Sequence, residues 1–337
     1  MPPAGLLLTS AGTQCYLVEA FASALDGEDR LVVADSSPDA PTLHLGRPAV
    51  VLPRAREDNY IPSLLATSVA HSVGWVMSLN EDELIVLDAA ADQLAQQGIQ
   101  ILGPTGNALK ACIDKPSGSA VLKQAGLRVP CTLLGRGAIE SALEADQVTF
   151  PAVGKLRHSR ASVGQVLLRD REEALWWLQA PSIPDASALM LQPWLEGQEY
   201  GMDVVNDLDR VPAGVLIRRK RLMRNGETSV AVTAHDEELQ EVGLRIGRAL
   251  GHRGMVDCDV VVTREGPVVI DLNPRFGGGY PFNHFAGADV PRAMLAWLRG
   301  SSEVTGFLQY RTGVTAARVS QIQGLTALDI IQARSAP

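Results

Sequence analysis

The chain has 337 residues, of which 46% are hydrophobic and 20% charged, so a globular protein of one large or two to three modest domains is expected. Its formal net charge of -8 argues against a general nucleic-acid binder, because neutralising phosphates needs a clustered basic surface. The N-terminus lacks the basic segment and apolar run of a signal peptide, and no stretch approaches a transmembrane span. A cytoplasmic location is expected by default.

The first third of the chain alternates short apolar runs with amphipathic segments. The apolar residues 5–8 lead into the turn Thr9–Thr13 and an amphipathic run at 16–25, a pattern that predicts strand, turn and helix. This β-α-β start implies a parallel sheet and an α/β fold class. Further strands are predicted at 31–34, 49–52, 75–79 and 99–102, with a helix at 81–97.

A second and a third unit follow. The helical pattern at 107–125 is interrupted by Pro116-Ser117-Gly118, which marks the first predicted domain boundary. The second unit has predicted strands at 148–155, 165–168 and 189–192, a Gly/Ser loop at 158–164 and a helix at 171–179. The third has predicted strands at 199–205 and 211–217, a helix at 236–250, and a hairpin of 257–263 with 268–272 that turns at Gly266-Pro267.

Polar residues end the last predicted strand on alternate positions. Asp271, Asn273 and Arg275 follow an apolar run and would line one wall, because alternate strand residues face the same side. Asp259 lies twelve positions before Asp271, an even spacing that lets antiparallel arms present both carboxylates on one face. Buried carboxylates repel each other unless a cation lies between them, and three oxygen ligands suit Mg²⁺. The pattern therefore predicts a metal site at Asp259, Asp271 and Asn273.

Two other segments carry weaker signals. Lys155 ends an apolar strand and precedes a loop rich in Ser, Gly and Arg, which could fold its backbone N–H groups over a polyphosphate. The segment Leu191–Val205 combines a strand, a turn with Trp194, and Glu199, an arrangement able to read an adenine edge and accept from ribose hydroxyls. Each segment alone is equally compatible with an ordinary loop or turn.

Together these motifs resemble the ATP-grasp superfamily, specifically its carbamoyl-phosphate-synthase-like ligases, over nearly the whole chain. The resemblance rests on six ordered segments: LLLTSAGTQCYLVEAF with VVADSSPDAP, DKPSGSAVLKQAGLRVP, FPAVGKLRHSRASVG, LQPWLEGQEYGMDVV, RRKRLMRNGETSVAVT and DLNPRFGGGYPFNHFAGADVP. It implies an ATP-grasp fold that is α/β at first and α+β later. The implied domains are a Rossmann-like pre-ATP-grasp domain at 1–112, a small lid at 113–190 and a catalytic domain at 191–337.

The resemblance also implies ligands and roles. Nucleotide binding would fall to Lys115, Lys155, Ser159, Ser162, Gly164, Gln192, Trp194, Leu195 and Glu199. Lys220 would face the phosphates, Arg275 would stabilise the transferring group, and the metal trio would hold Mg²⁺ or Mn²⁺. The implied reaction is ATP-dependent activation of a carboxylate as an acyl-phosphate, followed by attack of an amine or other nucleophile. Small molecules would be the partners, without nucleic acid or membrane, and a homodimer is compatible with the pattern.

The sequence departs from the family at two places. The family often has glutamate or glutamine at the position of Asp259 and glutamate at that of Asp271, so shorter side chains would shift the metals or leave one tight site. His158 and Arg160 replace the smaller or acidic residues usual in the phosphate loop. The glycines at 277–279 are predicted to let backbone approach the acceptor substrate.

Three other functions stay open at this point. One is a nucleotide-binding protein without ligase activity. The second is a nicotinamide-dependent oxidoreductase, although only Gly12 stands where a dinucleotide fingerprint needs three glycines, and Asp35 is more typical of a turn cap than of a ribose ligand. The third is nucleic-acid binding by the basic run 218–221, which is a weak signal in an acidic chain. Reduced structural thiols are expected at Cys15, Cys112, Cys131 and Cys258.

Overall fold

The computed structural model of the protein describes residues 4–158, 164–179, 186–224 and 226–325. The N-terminal unit is a parallel sheet with strand order β3-β2-β1-β4-β5. Its first strand is apolar and buried along its whole length, as in a sheet covered on both faces. The elements are β1 Gly5–Thr9, α1 Cys15–Ala24, β2 Arg30–Asp35, β3 Ala49–Val51, α2 Tyr60–His71, β4 Trp75–Ser78, α3 Glu81–Ala89, α4 Ala91–Gln96 and β5 Gln100–Ile101. The predicted parallel sheet is confirmed.

Several predicted boundaries need correction. The helix predicted at 81–97 is two helices that meet at Ala90, and α2 has no counterpart among the predicted elements. The interruption predicted at residues 116–118 lies instead at Asp114, between α5 Gly106–Ile113 and α6 Lys115–Gln124. The Asp114 side chain caps α6 by accepting from the backbone of Ser117. Pro116 lies in the first turn of α6, where a missing N–H leaves no helical hydrogen bond unmade.

The middle of the chain forms a small unit around a four-stranded sheet of order β6-β9-β7-β8, which we call the lid. Its elements are β6 Leu133–Leu134, α7 Arg136–Glu144, β7 Ala152–Leu156, β8 Val166–Leu168, α8 Arg171–Leu178 and β9 Leu189–Pro193. The predicted boundary at residue 190 therefore lies within β9. The lid has an apolar core of its own, in which Ile139, Trp177 and Leu191 are buried.

The C-terminal unit is built on a six-stranded antiparallel sheet of order β14-β13-β10-β11-β12-β15, which we call the large sheet. Its elements are β10 Gln198–Asn206, β11 Pro212–Arg224, β12 Glu227–Ala234, α9 Glu237–Leu250, β13 Gly254–Thr263, β14 Gly266–Asn273, α10 Tyr280–Phe285, α11 Val290–Leu298 and β15 Thr315–Ala317. One face packs on α5, α6 and α9 through a core that includes Met202, Ile217 and Cys258. The predicted α+β character of this part is confirmed.

The N-terminal unit and the large sheet share one apolar core. Leu6 and Phe21 of the N-terminal unit belong to the same buried cluster as Leu216, Met255 and Trp297. This shared core fixes the β1–α1 loop over the face of the large sheet opposite α9. Across the described ranges, no helix has both the length and the apolar character needed to span a bilayer. All four cysteines are free thiols.

Candidate active site

The hairpin of β13 and β14 places four oxygen-bearing side chains on two neighbouring rungs. Asp259 lies opposite Asp271, and Asp257 lies opposite Asn273. The turn is formed by residues 264–265, and Gly266 begins β14, so the turn predicted at Gly266-Pro267 is wrong by two residues. From this turn the strands pair Val260 with Val269, a register that would set Asp259 opposite residue 270.

An extra residue corrects that register. A β-bulge between Asp259 and Val260 shifts the pairing by one position and brings Asp271 opposite Asp259. Without it, Asp271 would face the other side of the sheet, because a slip of one residue reverses every side chain. The even spacing noted in the sequence therefore puts both carboxylates on one face only because the ladder contains this bulge.

The basic run 218–221 divides between the two faces of the large sheet. Arg218 and Lys220 point into the site and are buried, whereas Arg219 and Arg221 are exposed on the other side. The strand alternation of β11 produces this division. Half of the basic run is therefore paired with carboxylates inside the protein, which removes most of the reason to regard it as a nucleic-acid site.

Lys220 joins two carboxylates at the rim of the site. Its Nζ donates to Glu199 Oε1 at 2.6 Å and lies 2.7 Å from Asp259 Oδ1. Burial alone would lower the pKa of Lys220, but the carboxylates of Asp259 and Glu199 outweigh burial and raise it above the ordinary lysine value. Lys220 is therefore a fixed positive charge.

Arg218 joins a second pair of carboxylates deeper in the sheet. Its Nη1 lies 2.8 Å from Asp203 Oδ2, and its Nη2 donates to Asp257 Oδ1 at 2.5 Å. Asp203 also accepts from Asn283 Nδ2 of α10 at 2.7 Å. The Arg218 and Asp203 side chains are at most 2% exposed. Burial raises the pKa of Asp203, and Arg218 opposes that shift.

Two of the glycines at 277–279 pack directly against the Arg218 ion pair. A Cβ on Gly277 would lie 2.1 Å from the Asp257 carboxyl carbon, and a Cβ on Gly279 would lie 1.9 Å from Arg218 Nε. These two positions need glycine because the buried ion pair occupies the space of a side chain. The approach of this backbone to an acceptor substrate stays a prediction.

A cavity of about 260 Å³ lies between the lid and the large sheet, and we call it the lid cavity. It collects most of the side chains predicted to bind nucleotide: Lys115, Lys155, Gln192, Trp194, Leu195 and Glu199 line it together with Asp259 and Asp271. Gln165 and Met223 also line it, and the sequence patterns do not indicate either. Gly164 is not part of its lining, and the predicted residues Ser159 and Ser162 lie outside the described ranges.

Lys115, Lys155 and Trp194 differ in the contacts that they can offer to a ligand in the lid cavity. Lys115 Nζ lies 3.4 Å from Asp271 Oδ1. Burial lowers the pKa of Lys155 to about 8, with Asp271 opposing the shift and Lys115 adding to it. The backbone N–H of Trp194 already donates to the carbonyl of Pro151 at 3.0 Å. Trp194 would therefore contact a base through its half-exposed side chain rather than through its N–H.

A second cavity of about 380 Å³ lies between the N-terminal unit and the large sheet, and we call it the interdomain cavity. The β1–α1 loop forms one wall and the large sheet the other. The lining from the sheet side includes Arg218, Lys220, Asp257, Asp259, Asp271, Asn273 and Arg275, and the loop side includes Ser10, Gly12, Gln14 and Tyr16. Asp259 and Asp271 line both cavities, so these carboxylates mark the border between them.

Two residues of the N-terminal unit, Glu81 and Asp35, hold groups that line the interdomain cavity. Arg275 Nη2 donates to Glu81 Oε1 at 3.4 Å, across 194 positions of sequence. Asp35 accepts from the backbone N–H groups of Gly12 at 2.9 Å and Ser37 at 3.0 Å. The interpretation of Asp35 as a turn cap is therefore confirmed, and it also fixes the β1–α1 loop that faces the large sheet.

Three residues of the site are absent from the sequence-based predictions: Asp203, Asp257 and Arg218. Asp257 carried a usable signal, because it stands two positions before Asp259 and therefore faces the same side of its strand. Arg218 stands in the same relation to Lys220. Asp203 carried the same signal, because it stands four positions after Glu199 on β10 and therefore faces the same side of that strand.

Two family models match separate parts of the chain. The model for the PylC-like N-terminal domain matches residues 6–102, and the model for the ATP-grasp domain in the biosynthetic pathway with Ter operon matches residues 185–323. The C-terminal part of the chain is thus similar to an ATP-grasp family, and the N-terminal part to the domain that begins PylC-like proteins. The predicted resemblance to the ATP-grasp superfamily and the predicted fold class are thereby confirmed.

Solved structures share this ATP-grasp fold at low identity. The biotin carboxylase domain of Hydrogenobacter thermophilus 2-oxoglutarate carboxylase, solved as a dimer with MgADP, ADP and bicarbonate, matches with a TM-score of 0.74 and 14% identity over 94% of this chain and 74% of its own. The N5-carboxyaminoimidazole ribonucleotide synthetase of Thermus thermophilus matches with a TM-score of 0.69 and 18% identity over 91% and 80%. Campylobacter jejuni biotin carboxylase, in an ATP complex, matches at 0.70 and 15% over 90% and 73%.

Proposed function

We propose that this ATP-grasp chain is an ATP- and Mg²⁺-dependent ligase that activates a carboxylate as an acyl-phosphate and couples it to an amine. The observation that carries the proposal is the shared border of two cavities. The lid cavity holds most of the predicted nucleotide residues, the interdomain cavity has room for a second molecule, and Asp259 and Asp271 line both. A terminal phosphate at this border would meet an acceptor from the other side.

The lid cavity supports ATP as the nucleotide. Lys155 and Lys115 supply positive charge near Asp271, where phosphates would lie. Gln192 and Trp194, at the end of β9, line the cavity where the adenine would bind, and Glu199 is the carboxylate available to ribose hydroxyls. Assignment of these individual contacts, like the domain limits, stays a prediction.

The border residues fit a magnesium ion. Within the described part of the chain, no three Asp, Glu, His or Cys side chains lie close enough to enclose a metal by themselves. Two aspartates on one rung and the Asn273 amide oxygen make an incomplete set of hard ligands. Mg²⁺ is typically held by one or two carboxylates with substrate phosphates and waters completing its shell. Such an ion would neutralise phosphate charge, and Mn²⁺ could take the same ligands.

The chemistry would be positioning and charge neutralisation. An acceptor carboxylate oxygen in the interdomain cavity would attack the γ-phosphorus, and the bond from that phosphorus to the β–γ bridging oxygen would break to release ADP. Lys220, held at the border, would stabilise the charge on the transferring phosphoryl group. An amine would then attack the acyl carbon, lose a proton to solvent and expel phosphate. Arg275, fixed by Glu81, would stabilise that acyl-phosphate.

The alternatives have less support. A nicotinamide oxidoreductase would need the glycine fingerprint that is missing after β1 and a free acidic residue after β2, yet Asp35 is occupied as a cap. A non-catalytic nucleotide-binding protein would not need a second polar cavity bordered by Lys220 and Arg275. Small-molecule partners fit both cavities, and a cytoplasmic homodimer stays a prediction.

Product analysis tests the proposal. The protein is incubated with ATP, Mg²⁺ and panels of carboxylates paired with amines, and nucleotides are separated by anion-exchange chromatography. We expect ADP and phosphate in equal amounts for the correct pair, and neither product from Asp271→Asn, which removes a charge at the border without much change in volume. Equal amounts of AMP and pyrophosphate would overturn the acyl-phosphate mechanism.

A further inference from the structure

A hydrogen bond from Asn273 to Asp257 decides which end of the Asn273 amide faces the interdomain cavity. Asn273 Nδ2 donates to Asp257 Oδ2 at 3.3 Å. An amide has one donor end and one acceptor end, so a fixed Nδ2 directs Oδ1 away from Asp257. No described residue donates to Asn273 Oδ1, and Asn273 lines the interdomain cavity.

Asp257 is itself held in one orientation. Its other oxygen accepts from Arg218 Nη2, and Arg218 also pairs with Asp203. The Arg218 guanidinium packs so closely against Gly201 and Gly279 that neither position has room for a Cβ. Asp203 is in turn held by Asn283. The result is a continuous chain of contacts from α10 to the strand that carries the predicted metal ligands.

We infer that Asp257 is a positioning residue that orients Asn273 so that its oxygen, not its amide nitrogen, faces the cation. The inference rests on the proposed function, because it presumes that Mg²⁺ binds with nucleotide at Asp259, Asp271 and Asn273. A residue that orients a metal ligand typically changes metal affinity about 10- to 100-fold when it is replaced. Asp257 would do so without contacting the ion.

The substitution Asp257→Asn tests the inference with little change in volume. Arg218 has only donors, so the amide introduced at position 257 must direct its oxygen to Arg218 and its NH₂ to Asn273. Asn273 then has to rotate its own oxygen toward that NH₂, which turns the NH₂ of Asn273 toward the cation. We expect the Mg²⁺ affinity of the ADP complex, measured by titration calorimetry, to fall about 10- to 100-fold, with Mg²⁺-free ADP affinity unchanged.

The double substitution Asp257→Asn with Asn273→Asp is the rescue. The NH₂ introduced at position 257 would donate to the carboxylate introduced at position 273, so the hydrogen bond would be restored with reversed polarity. An oxygen would again face the ion. We expect Mg²⁺ affinity to return to at least the wild-type value. If the single variant fails to fold, the double variant decides alone, and its failure to bind Mg²⁺ with ADP would overturn the inference.

Asp203→Asn is the matched control. Asp203 belongs to the same buried network and loses the same charge, but it contacts Arg218 and Asn283 rather than Asn273. We expect Asp203→Asn to lower the unfolding midpoint while keeping the Mg²⁺ affinity of the ADP complex. Equal losses of Mg²⁺ affinity in Asp203→Asn and Asp257→Asn, or none in Asp257→Asn, would overturn the positioning role. A wild-type protein whose ADP binding ignores Mg²⁺ would instead overturn the proposed function and this inference together.

Discussion

Lys220 and Arg218 lie two positions apart on β11, and each joins a carboxylate of β10 to a carboxylate of β13. Lys220 does so where Glu199 is 35% and Asp259 is 23% exposed, whereas Arg218 does so between Asp203 at 0% and Asp257 at 10%. A cation whose carboxylate partners are partly solvated can exchange them for phosphate at modest cost. A cation between two buried carboxylates cannot exchange its partners in this way, because each ion left unpaired in the interior costs several kcal/mol. We therefore expect the exposure of the partners to separate a catalytic role for Lys220 from a structural role for Arg218.

The largest effect on stability is expected from removing Arg218 from its buried ion pairs with Asp203 and Asp257. Arg218→Met keeps much of the length of the side chain but leaves Asp203 and Asp257 without a counter-charge. Removing one partner of a buried ion pair typically costs about 3–5 kcal/mol. We expect the free energy of unfolding, measured by urea denaturation at neutral pH, to fall by that amount. An unchanged free energy of unfolding would show that the Arg218 network does not stabilise the fold.

Lys220→Met should show the opposite pattern to Arg218→Met, with a large loss of turnover and a small loss of stability. We expect kcat for ADP formation to fall about 10²- to 10³-fold, because a positioned donor to transition-state charge is lost. The free energy of unfolding should change less than in Arg218→Met, since water can reach Glu199 and Asp259. Turnover close to wild type would contradict the catalytic role of Lys220.

Two neighbouring glycines at 278 and 279 offer a finer comparison, because only Gly279 packs against Arg218. In Gly279→Ala the new methyl group would lie 1.9 Å from Arg218 Nε, and overpacking of this kind costs about 1–3 kcal/mol. Gly278→Ala is the control, because its nearest neighbour is the flexible end of the Arg318 side chain at 3.0 Å. Circular dichroism during urea unfolding should rank Gly279→Ala as clearly less stable. Equal stability of the two variants would mean that Arg218 is not confined there.

The smallest effect is a pH dependence of ATP binding that comes from Lys155 in the lid cavity. Lys155 has a pKa lowered to about 8, so in the nucleotide-free protein it loses its proton as pH rises through that value. The lost charge would weaken phosphate binding, and we expect the Kd for ATP to rise up to about tenfold between pH 7 and pH 9. Lys155→Arg keeps its charge over this range and should show a flatter profile. Identical profiles would assign the pH dependence to another group.

The sequence by itself determined the parts of this protein that depend on local pattern. Apolar runs separated by turns predicted the parallel sheet of the N-terminal unit, and six ordered motifs predicted the ATP-grasp fold. The alternation of Asp271, Asn273 and Arg275 predicted a polar row at a strand end, because strand side chains repeat every two residues. Most of the side chains predicted to bind nucleotide do line one cavity.

The tertiary structure alone decided how those side chains are used. The bulge beside Asp259 set the rung on which the two carboxylates meet, and no spacing in the sequence specifies a bulge. The same alternation on β11 turned both Arg218 and Lys220 inward, yet the carboxylate partners of Arg218 are buried, whereas those of Lys220 stay partly exposed. Burial depends on which distant segment packs over a residue, so two basic residues with the same local pattern have different surroundings.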